Sequence, residues 1–535
     1  MSCGNPVADA DALMQRRKKY DKTKNCVKCK VAQGNLVIRH AVYCKECFLH
    51  LVVHKFRRAL EPTVNPKPDG PRKTTLKPAG NLLVGFSGGL GSSVLLDLVH
   101  RCYIALDKST MPTDGGSHHP RHERVWTRVI VCYVEVCDAF PGMKDRTEEI
   151  AKHMQRYEGL DFVSLRIQDA FDPSWWERMG GKPFTSELGV TLADEGLFLQ
   201  ALSSPSSDPL ASLRTYLSSL PTPTAITTSV QTLTRLLLLH TALQTGSSHL
   251  VLGTSLTSLA VSLISGVAQG AGFNIREETQ EEWVPEPEVS TSSADPSENA
   301  AGAKEEKQKS RKGKRTVRVV RPLRDVGMKE CAAWAWWSGV PVIGKEKWGW
   351  AGAKPGIGTL TKDFIVGLEK DYPSTVSTIV RTCGKLAPKG DVSGSCILCG
   401  RPAQRGVQEW KTRISIHSRP PTQHPTAPNG SNGSAVETSP ACAADPDSLR
   451  PSLTPYLCYA CHTTLTSKSA RPVPSPWPAV ARASTVTLPV WAEARLSSAK
   501  GDGESTEHVH GEILQTRRVG QEEMKGIVNE FLLDD

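Results

Sequence analysis

Residues 82–93, Leu-Leu-Val-Gly-Phe-Ser-Gly-Gly-Leu-Gly-Ser-Ser, pass from an unbroken apolar strand through three glycines into an apolar helix that begins near Ser92. A strand without polar alternation is buried on both faces. A Gly-rich turn leading straight into a helix is how a parallel sheet starts its crossovers, so this segment commits the chain to an α/β core. The turn also suits an anion. Its glycines let the backbone approach closely, and Ser87, Ser92 and the free amides of the helix's first turn aim donors at one point, aided by the helix dipole. Yet no Lys or Asp lies between Ser87 and Ser93. The cradle of Ser87, Gly88, Gly89 and Ser92 has no cation for phosphate and no carboxylate for Mg²⁺, which argues against ATP binding.

The pattern that follows supports the same fold class, a parallel sheet covered by helices. Strands are predicted at 82–86, 128–134, 162–167 and 249–253, with helices at 92–101, 146–157 and 230–245. The core is expected to span 78–276 and to resume at 317–388, where 328–339 reads as a helix carrying Trp334, Trp336 and Trp337. Such a stripe belongs to a core or to a partner surface more often than to a base-stacking platform. Residues 277–316 are acidic and then basic with few apolar side chains, and are expected to be disordered. The polar stretch 108–124, with His118, His119 and His122, reads as a surface loop. Residues 414–450 are Ser-, Pro- and Thr-rich and read as another. In the tail, 466–535, Met524, Ile527, Val528, Phe531 and Leu532 share a helical face expected to dock. Residues 250–275 carry no charge but too many Ser, Thr and Gln to fill a bilayer, so no membrane span is expected.

Eight of the fifteen cysteines form four C-x-x-C pairs, and the first twenty residues hold no apolar signal segment, so the setting is reducing and cytoplasmic and the pairs read as metal sites. Cys26, Cys29, Cys44 and Cys47 lie within a basic N-terminal module, 1–60, at the spacing of two knuckles over a small hairpin. Cys396, Cys399, Cys458 and Cys461 close a second site across 390–465, with Cys442 an unpaired competitor. The longer loop adds about 1.2 kcal/mol of closure entropy, small beside the affinity of a structural zinc. Two structural zinc ions fit, with iron–sulfur ligation the alternative. The chain carries a net charge of +10. Its basic residues cluster early, and Arg16, Arg17, Lys18, Lys19, Lys28, Lys30, Lys55, Arg57 and Arg58 are candidates for contacting RNA phosphates without reading bases.

The loop matches neither the Walker nor the dinucleotide pattern. It resembles the S-G-G-x-D-S loop of the N-type ATP pyrophosphatases. Together with the two Cys₄ modules and the basic arm, the chain resembles the cytoplasmic tRNA 2-thiolation protein 2 family, over most of its length outside the polar inserts. The resemblance implies a heterodimer with a catalytic sister subunit, cytoplasmic tRNA 2-thiolation protein 1. That complex adenylates C2 of the wobble uridine of tRNAs for Lys, Glu and Gln, and installs sulfur from a thiocarboxylated ubiquitin-related carrier. The sister would carry Lys and Asp where this chain has Leu90 and Gly91. The active thiolases place a cysteine near the position of Thr227, Thr228 and Ser229, and resemble Gly-His-Asn-x-x-Asp where this chain reads Gly253-Thr254-Ser255-Leu256-Thr257-Ser258. Arg235 remains to face phosphate. Cys132 and Cys137 alternate with apolar neighbours and read as structural. The expectation is a non-catalytic, tRNA-binding subunit. The alternatives are an adenylating tRNA sulfurtransferase in its own right, with Arg235 replacing the lost cation, and a zinc-dependent RNA-binding scaffold.

Overall fold

The computed structural model describes residues 24–64, 80–105, 125–183, 188–192, 195–202, 208–284, 316–344, 348–350, 355–386, 392–404, 406–407, 411, 451–467, 475–477, 480 and 483–501. Arg16, Arg17, Lys18, Lys19, the loop with three histidines, most of the 277–316 insert, the 414–450 loop and the 524–532 face lie outside the described residues.

The chain opens with a hairpin, β1 (Leu36–Ile38) and β2 (Ala41–Tyr43), and helix α1 (Lys45–Val64). Then come β3 (Asn81–Phe86), α2 (Leu90–Val99), β4 (Val129–Glu135), α3 (Thr147–Met154), β5 (Asp161–Arg166) and the short α4 (Pro173–Arg178). The chain continues with β6 (Leu188–Thr191), β7 (Leu199–Ala201), α5 (Pro209–Ser219), α6 (Pro223–Gln244), β8 (Ser247–Leu252), α7 (Leu256–Ala268), β9 (Glu281–Trp283), β10 (Val317–Val320), α8 (Met328–Ser338), α9 (Ile357–Asp371) and α10 (Pro373–Cys383). A second hairpin, β11 (Val392–Ser395) and β12 (Pro402–Gln404), leads to α11 (Tyr459–Thr466), β13 (Thr485–Thr487) and α12 (Val490–Gly501).

The central sheet runs β5-β4-β3-β8-β10-β9, parallel except for the edge strand β9. Its strands alternate between two cores. Leu83, Ile130, Cys132, Leu250 and Val319 face α5, α6, α11 and α12, whereas Leu82, Val84, Val129, Val131 and Val251 face α1, α2, α3 and α8. Each Leu or Val fully withdrawn from water contributes about 1.5–3 kcal/mol. Local signals set the helix starts. Thr222 caps α6 by accepting from Ala225 N at 3.0 Å, and Asp208 caps α5 in the same way, both ahead of a proline in the first turn.

Two elements depart from expectation. Glu281–Trp283, inside the stretch expected to be disordered, is ordered as β9 because β10 offers it an open edge and Glu281 a buried ionic partner. β13 pairs with β6, nearly three hundred residues earlier, in a small β13-β6-β7 sheet that local periodicity did not reveal.

The chain order leaves β3 in one direction through β4 and β5 and returns on its other side at β8. That reversal puts the topological switch point, the place where open α/β sheets receive ligands, between the ends of β3 and β8.

Candidate functional site

The Ser87 loop stands at that switch point, and the chain's own backbone fills it. A Cβ added at Gly253 would lie 2.5 Å from the Gly91 carbonyl and 2.5 Å from Ser92 N, and one added at Gly91 would come closer still to the Gly253 carbonyl. Only hydrogens fit between these two loops. Gly88, at φ +71°, accepts a 2.9 Å bond from Gly344 N, and a Cβ there would lie 3.1 Å from the Gly344 carbonyl. Arg146 holds this covering segment by donating to the Ile343 and Gly344 carbonyls, each at 3.2 Å. The serines turn inward: Ser92 Oγ donates to the Gly89 carbonyl at 2.8 Å and lies 3.3 Å from Ser87 Oγ. The structure thus brings Ser87, Gly88, Gly89 and Ser92 together as the sequence suggested, in a loop packed against its neighbours.

Past Gly253, Ser255 caps α7 and Thr257 joins three elements, donating to Glu369 at 2.7 Å and accepting from Met328 N at 3.0 Å. Thr227 and Thr228 bond to Thr224 and Gln269. Burial pushes the thiols of Cys132 and Cys137 up to about 12, the latter with help from Glu135, which makes both poor nucleophiles.

Arg235 does not serve the loop. It forms an ion pair with Glu281 and donates to the Cys399 carbonyl at 2.7 Å, with side-chain exposures of 13 % for Arg235 and 3 % for Glu281. Arg321 and Arg401 join Glu278 in the same buried network, and Arg401 and Arg321 outweigh burial to hold the Glu278 carboxyl down at about 2. The roles of Arg146, Glu278, Glu281 and Arg401 carried no local signal in the sequence.

Both cysteine quartets assemble. In each, the four sulfurs lie within 4.8 Å of one another. Cys29 and Cys44 are 3.9 Å apart, and Cys399 and Cys458 3.7 Å. Four thiolates at about 2.3 Å from one tetrahedral ion stand about 3.8 Å apart, so each set fits a single metal ion. A four-iron cubane holds its ligand sulfurs farther apart, because a cluster rather than one ion lies between them. Burial raises the Cys26 thiol, but hydrogen bonds from the backbone of Cys29, Cys44 and Lys28 outweigh it and bring it down to about 6. Burial and the neighbouring thiols push Cys47 up to about 12. In the second set, hydrogen bonds from Cys396, Cys458 and Cys461 lower Cys399, while Cys458 and Cys461 are raised. Backbone hydrogen bonds from Ala32 and Val31 lower Cys29 as well, and in either quartet a divalent ion would displace the protons of the raised thiols.

The two quartets have different surroundings. The first sits at the base of the β1–β2 hairpin with Cys29 exposed. The second was expected in a separate module and instead belongs to the main core, with Cys396, Cys399 and Cys458 buried. Three helix side chains grip its knuckle: Arg235, Trp491 through a 3.3 Å bond to the Leu398 carbonyl, and Arg495 through a 3.4 Å bond to the Cys396 carbonyl.

Of the described RNA-contact candidates, Lys28, Lys30 and Arg58 are exposed and Arg57 lies 3.9 Å from Glu61. Lys55 is engaged internally, 2.6 Å from Glu330. Among the described residues no helix is long and apolar enough to cross a membrane.

A family profile described as Cytoplasmic tRNA 2-thiolation protein 2 matches residues 356–463, which include all four cysteines of the second quartet. The chain is similar to the cytoplasmic tRNA 2-thiolation protein 2 family over most of its length. It is 27 % identical over 412 residues to the protein of that name from Phaeosphaeria nodorum, covering 75 % of this chain and 88 % of the relative. Against the Xenopus tropicalis protein it is 25 % identical over 501 residues, covering 83 % and 87 %. The Homo sapiens protein is 26 % identical over 404 residues, covering 70 % and 71 %. Among solved structures, the U34-tRNA thiolase NcsA from Methanococcus maripaludis with its 4Fe–4S cluster aligns with a TM-score of 0.42 at 16 % identity, over 74 % of this chain and 98 % of its own. The fold is an α/β core built on a six-stranded sheet, parallel except for β9, with an N-terminal and a C-terminal Cys₄ cluster.

Proposed function

We propose that this chain is the non-catalytic, tRNA-binding subunit of a cytosolic complex that 2-thiolates the wobble uridine of tRNAs for Lys, Glu and Gln. A sister subunit of the same fold adenylates the base and transfers sulfur from a thiocarboxylated ubiquitin-related carrier. The observation that carries this reading is the backbone contact between Gly91 and Gly253. Adenylation needs room for the phosphates of ATP, a cation to hold them and a carboxylate for Mg²⁺. Here the carboxylate's position is a glycine whose neighbour admits no side chain, and Arg235, the remaining cation, is bound to Glu281. Thiolation further needs a reactive thiolate, and Cys132 and Cys137 are held protonated at neutral pH.

What this chain supplies is a surface. Lys28, Lys30, Arg57 and Arg58, with Arg16, Arg17, Lys18 and Lys19 ahead of them, would neutralise tRNA phosphates, and two zinc ions in the Cys₄ sets would fix the hairpin and the β11–β12 knuckle. The test is to incubate the purified chain with ATP, Mg²⁺ and unmodified tRNA, alone and with the sister subunit, and to measure pyrophosphate release. Release is expected only from the pair; robust release by this chain alone refutes the proposal.

A further inference from the structure

Three arginines from distant parts of the chain share two carboxylates beside the second quartet. Arg235 of α6 pairs with Glu281 of β9, its Nε donating at 3.1 Å. Arg401, two residues past Cys399, stands 2.6 Å from Glu278 and 3.8 Å from Glu281; Arg321, which follows β10, stands 3.5 Å from Glu278. These five side chains leave one positive charge uncancelled. Arg495, which donates to the Cys396 carbonyl, adds another, and the half-buried Glu277, whose charge reaches Arg401, takes one away. The donors are in surplus too. Among the described residues, Arg321 Nη1 and Arg401 Nε have no hydrogen-bond partner, although the side chains are only 5 % and 14 % exposed. A buried surplus of charge is costly unless an opposite charge lies close by.

The second quartet can supply that charge. Arg235 Nη1 donates to the Cys399 carbonyl at 2.7 Å, and the Arg401 carbonyl accepts from Cys396 N at 2.7 Å, closing the knuckle turn. Both arginines are thus tied to peptide units that carry ligand sulfurs. The buried Trp283 and Leu236 crowd the same turn: a Cβ added at Gly400 would lie 2.9 Å from Trp283 Nε1 and 3.4 Å from Leu236 Cδ2. Attraction between these cations and the sulfurs therefore acts through protein more than through water, and is weakly screened. Four thiolates around one divalent ion form a doubly negative unit. Loading the site places that unit beside the surplus cation. The first quartet is differently placed. The described lysines nearest to it in sequence, Lys24, Lys28, Lys30 and Lys45, are exposed, where water and salt blunt their effect.

We propose that Arg235 and Arg401 are counter-charges for the second quartet, favouring its metal-bound thiolates and making it the tighter of the two metal sites. This rests on the reading that each quartet holds one divalent ion. It adds to it two positioning residues and an order of affinity between the sites.

The test equilibrates the zinc-loaded full chain with a chromophoric chelator and counts bound ions by native mass spectrometry, the Cys29→Ser and Cys399→Ser variants assigning each ion to its site. The parent is expected to keep the second ion at chelator concentrations that strip the first. Arg235→Gln and Arg401→Gln are expected to weaken the second site about 10–100-fold and leave the first unchanged, with Arg401→Lys retaining most of the affinity. Glu281→Gln separates charge from scaffolding. It keeps an acceptor oxygen for Arg235 but frees a further positive charge, so a counter-charge role tightens the second site, whereas a packing role loosens it. Melting curves identify any variant that loses its fold, and the opposite sign expected of Glu281→Gln cannot come from unfolding. Unchanged second-site affinity in both arginine variants, equal weakening of both sites, or failure of Glu281→Gln to tighten the second overturns the proposal and leaves the metal reading standing. A parent whose second quartet takes up no ion overturns both.

Discussion

Restoring the carboxylate that active loops carry is the most direct probe of the closed switch point. Gly91→Asp should not recover nucleotide chemistry; it should damage the fold. The added Cβ would overlap the Gly253 carbonyl, and both partners are backbone, so neither can swing aside as a side chain would. Overpacking a dense core costs about 1–3 kcal/mol, and a backbone-on-backbone clash belongs at the upper end, about 3 kcal/mol. For a domain of this size that corresponds to a fall in melting temperature of about 6–12 °C. Gly91→Ala isolates the cause, because it adds the Cβ without the charge. If sterics dominate, the two variants lose similar stability, and Gly253→Ala, whose Cβ would sit 2.5 Å from Gly91 and Ser92, behaves alike. The double alanine variant should then cost less than the sum of the singles, since loops already parted need not part again. Thermal unfolding followed by circular dichroism and calorimetric titration with Mg·ATP provide the readouts. A Gly91→Asp protein that melts with the parent and binds Mg·ATP would refute the reasoning, because the crevice would have to be open.

The cysteine clusters should respond unequally to ligand loss. Cys399→Ser is expected to release one metal equivalent and lower the melting temperature of the whole core, whereas Cys29→Ser releases the other and loosens only the hairpin; native mass spectrometry with limited proteolysis distinguishes these outcomes. A pH dependence follows from His240, enclosed by Trp175, Trp176, Trp283 and Trp491 and pushed down to about 3 by burial, then by Arg495 and Arg235. The unfolded chain takes up this proton near pH 6.5 and the folded chain only near 3, so stability is lost as pH falls through that window, by at most about 1.4 kcal/mol per pH unit. His240→Phe, a ring in the same aromatic box, should flatten that part of the stability profile in denaturant titrations run from pH 7 to 4; an unchanged slope would mean that His240 is already neutral when unfolded or charged when folded.

The strand–loop–helix at Ser87 was legible because every force in it is local: apolar continuity, glycine at the turn, free amides at the helix start. The same holds for the four parallel strands, placed within a few residues, and for the cysteine pairs, whose spacing encodes their geometry. What escaped was set by partners far away in sequence. Nothing in Glu281–Trp283 favours a strand until β10 lies beside it, and nothing in the isolated Arg235 distinguishes a phosphate ligand from a partner of Glu281. Lys55 was read as a surface cation from its basic surroundings, but a glutamate 275 residues away takes it. The missing cation and carboxylate of the loop were visible as absences of residue types. That the vacated space is filled by Gly253 could be seen only in three dimensions.

The two faces of the central sheet are covered by very different stretches of chain. The core shared with α1, α2 and α8 is complete once Val340 has been made, whereas the opposite core waits for Trp491 and Leu496. At 5–20 residues per second, ribosomal synthesis leaves that second face without its last cover for roughly ten to thirty seconds. During that time Leu83, Ile130 and Leu250 have only part of their shelter, and the Cys396 knuckle has no Cys458 or Cys461 to share a metal with. The chain is thus born with one finished side and one sticky side, and its dependence on chaperones and on metal supply should fall in that interval and not after release.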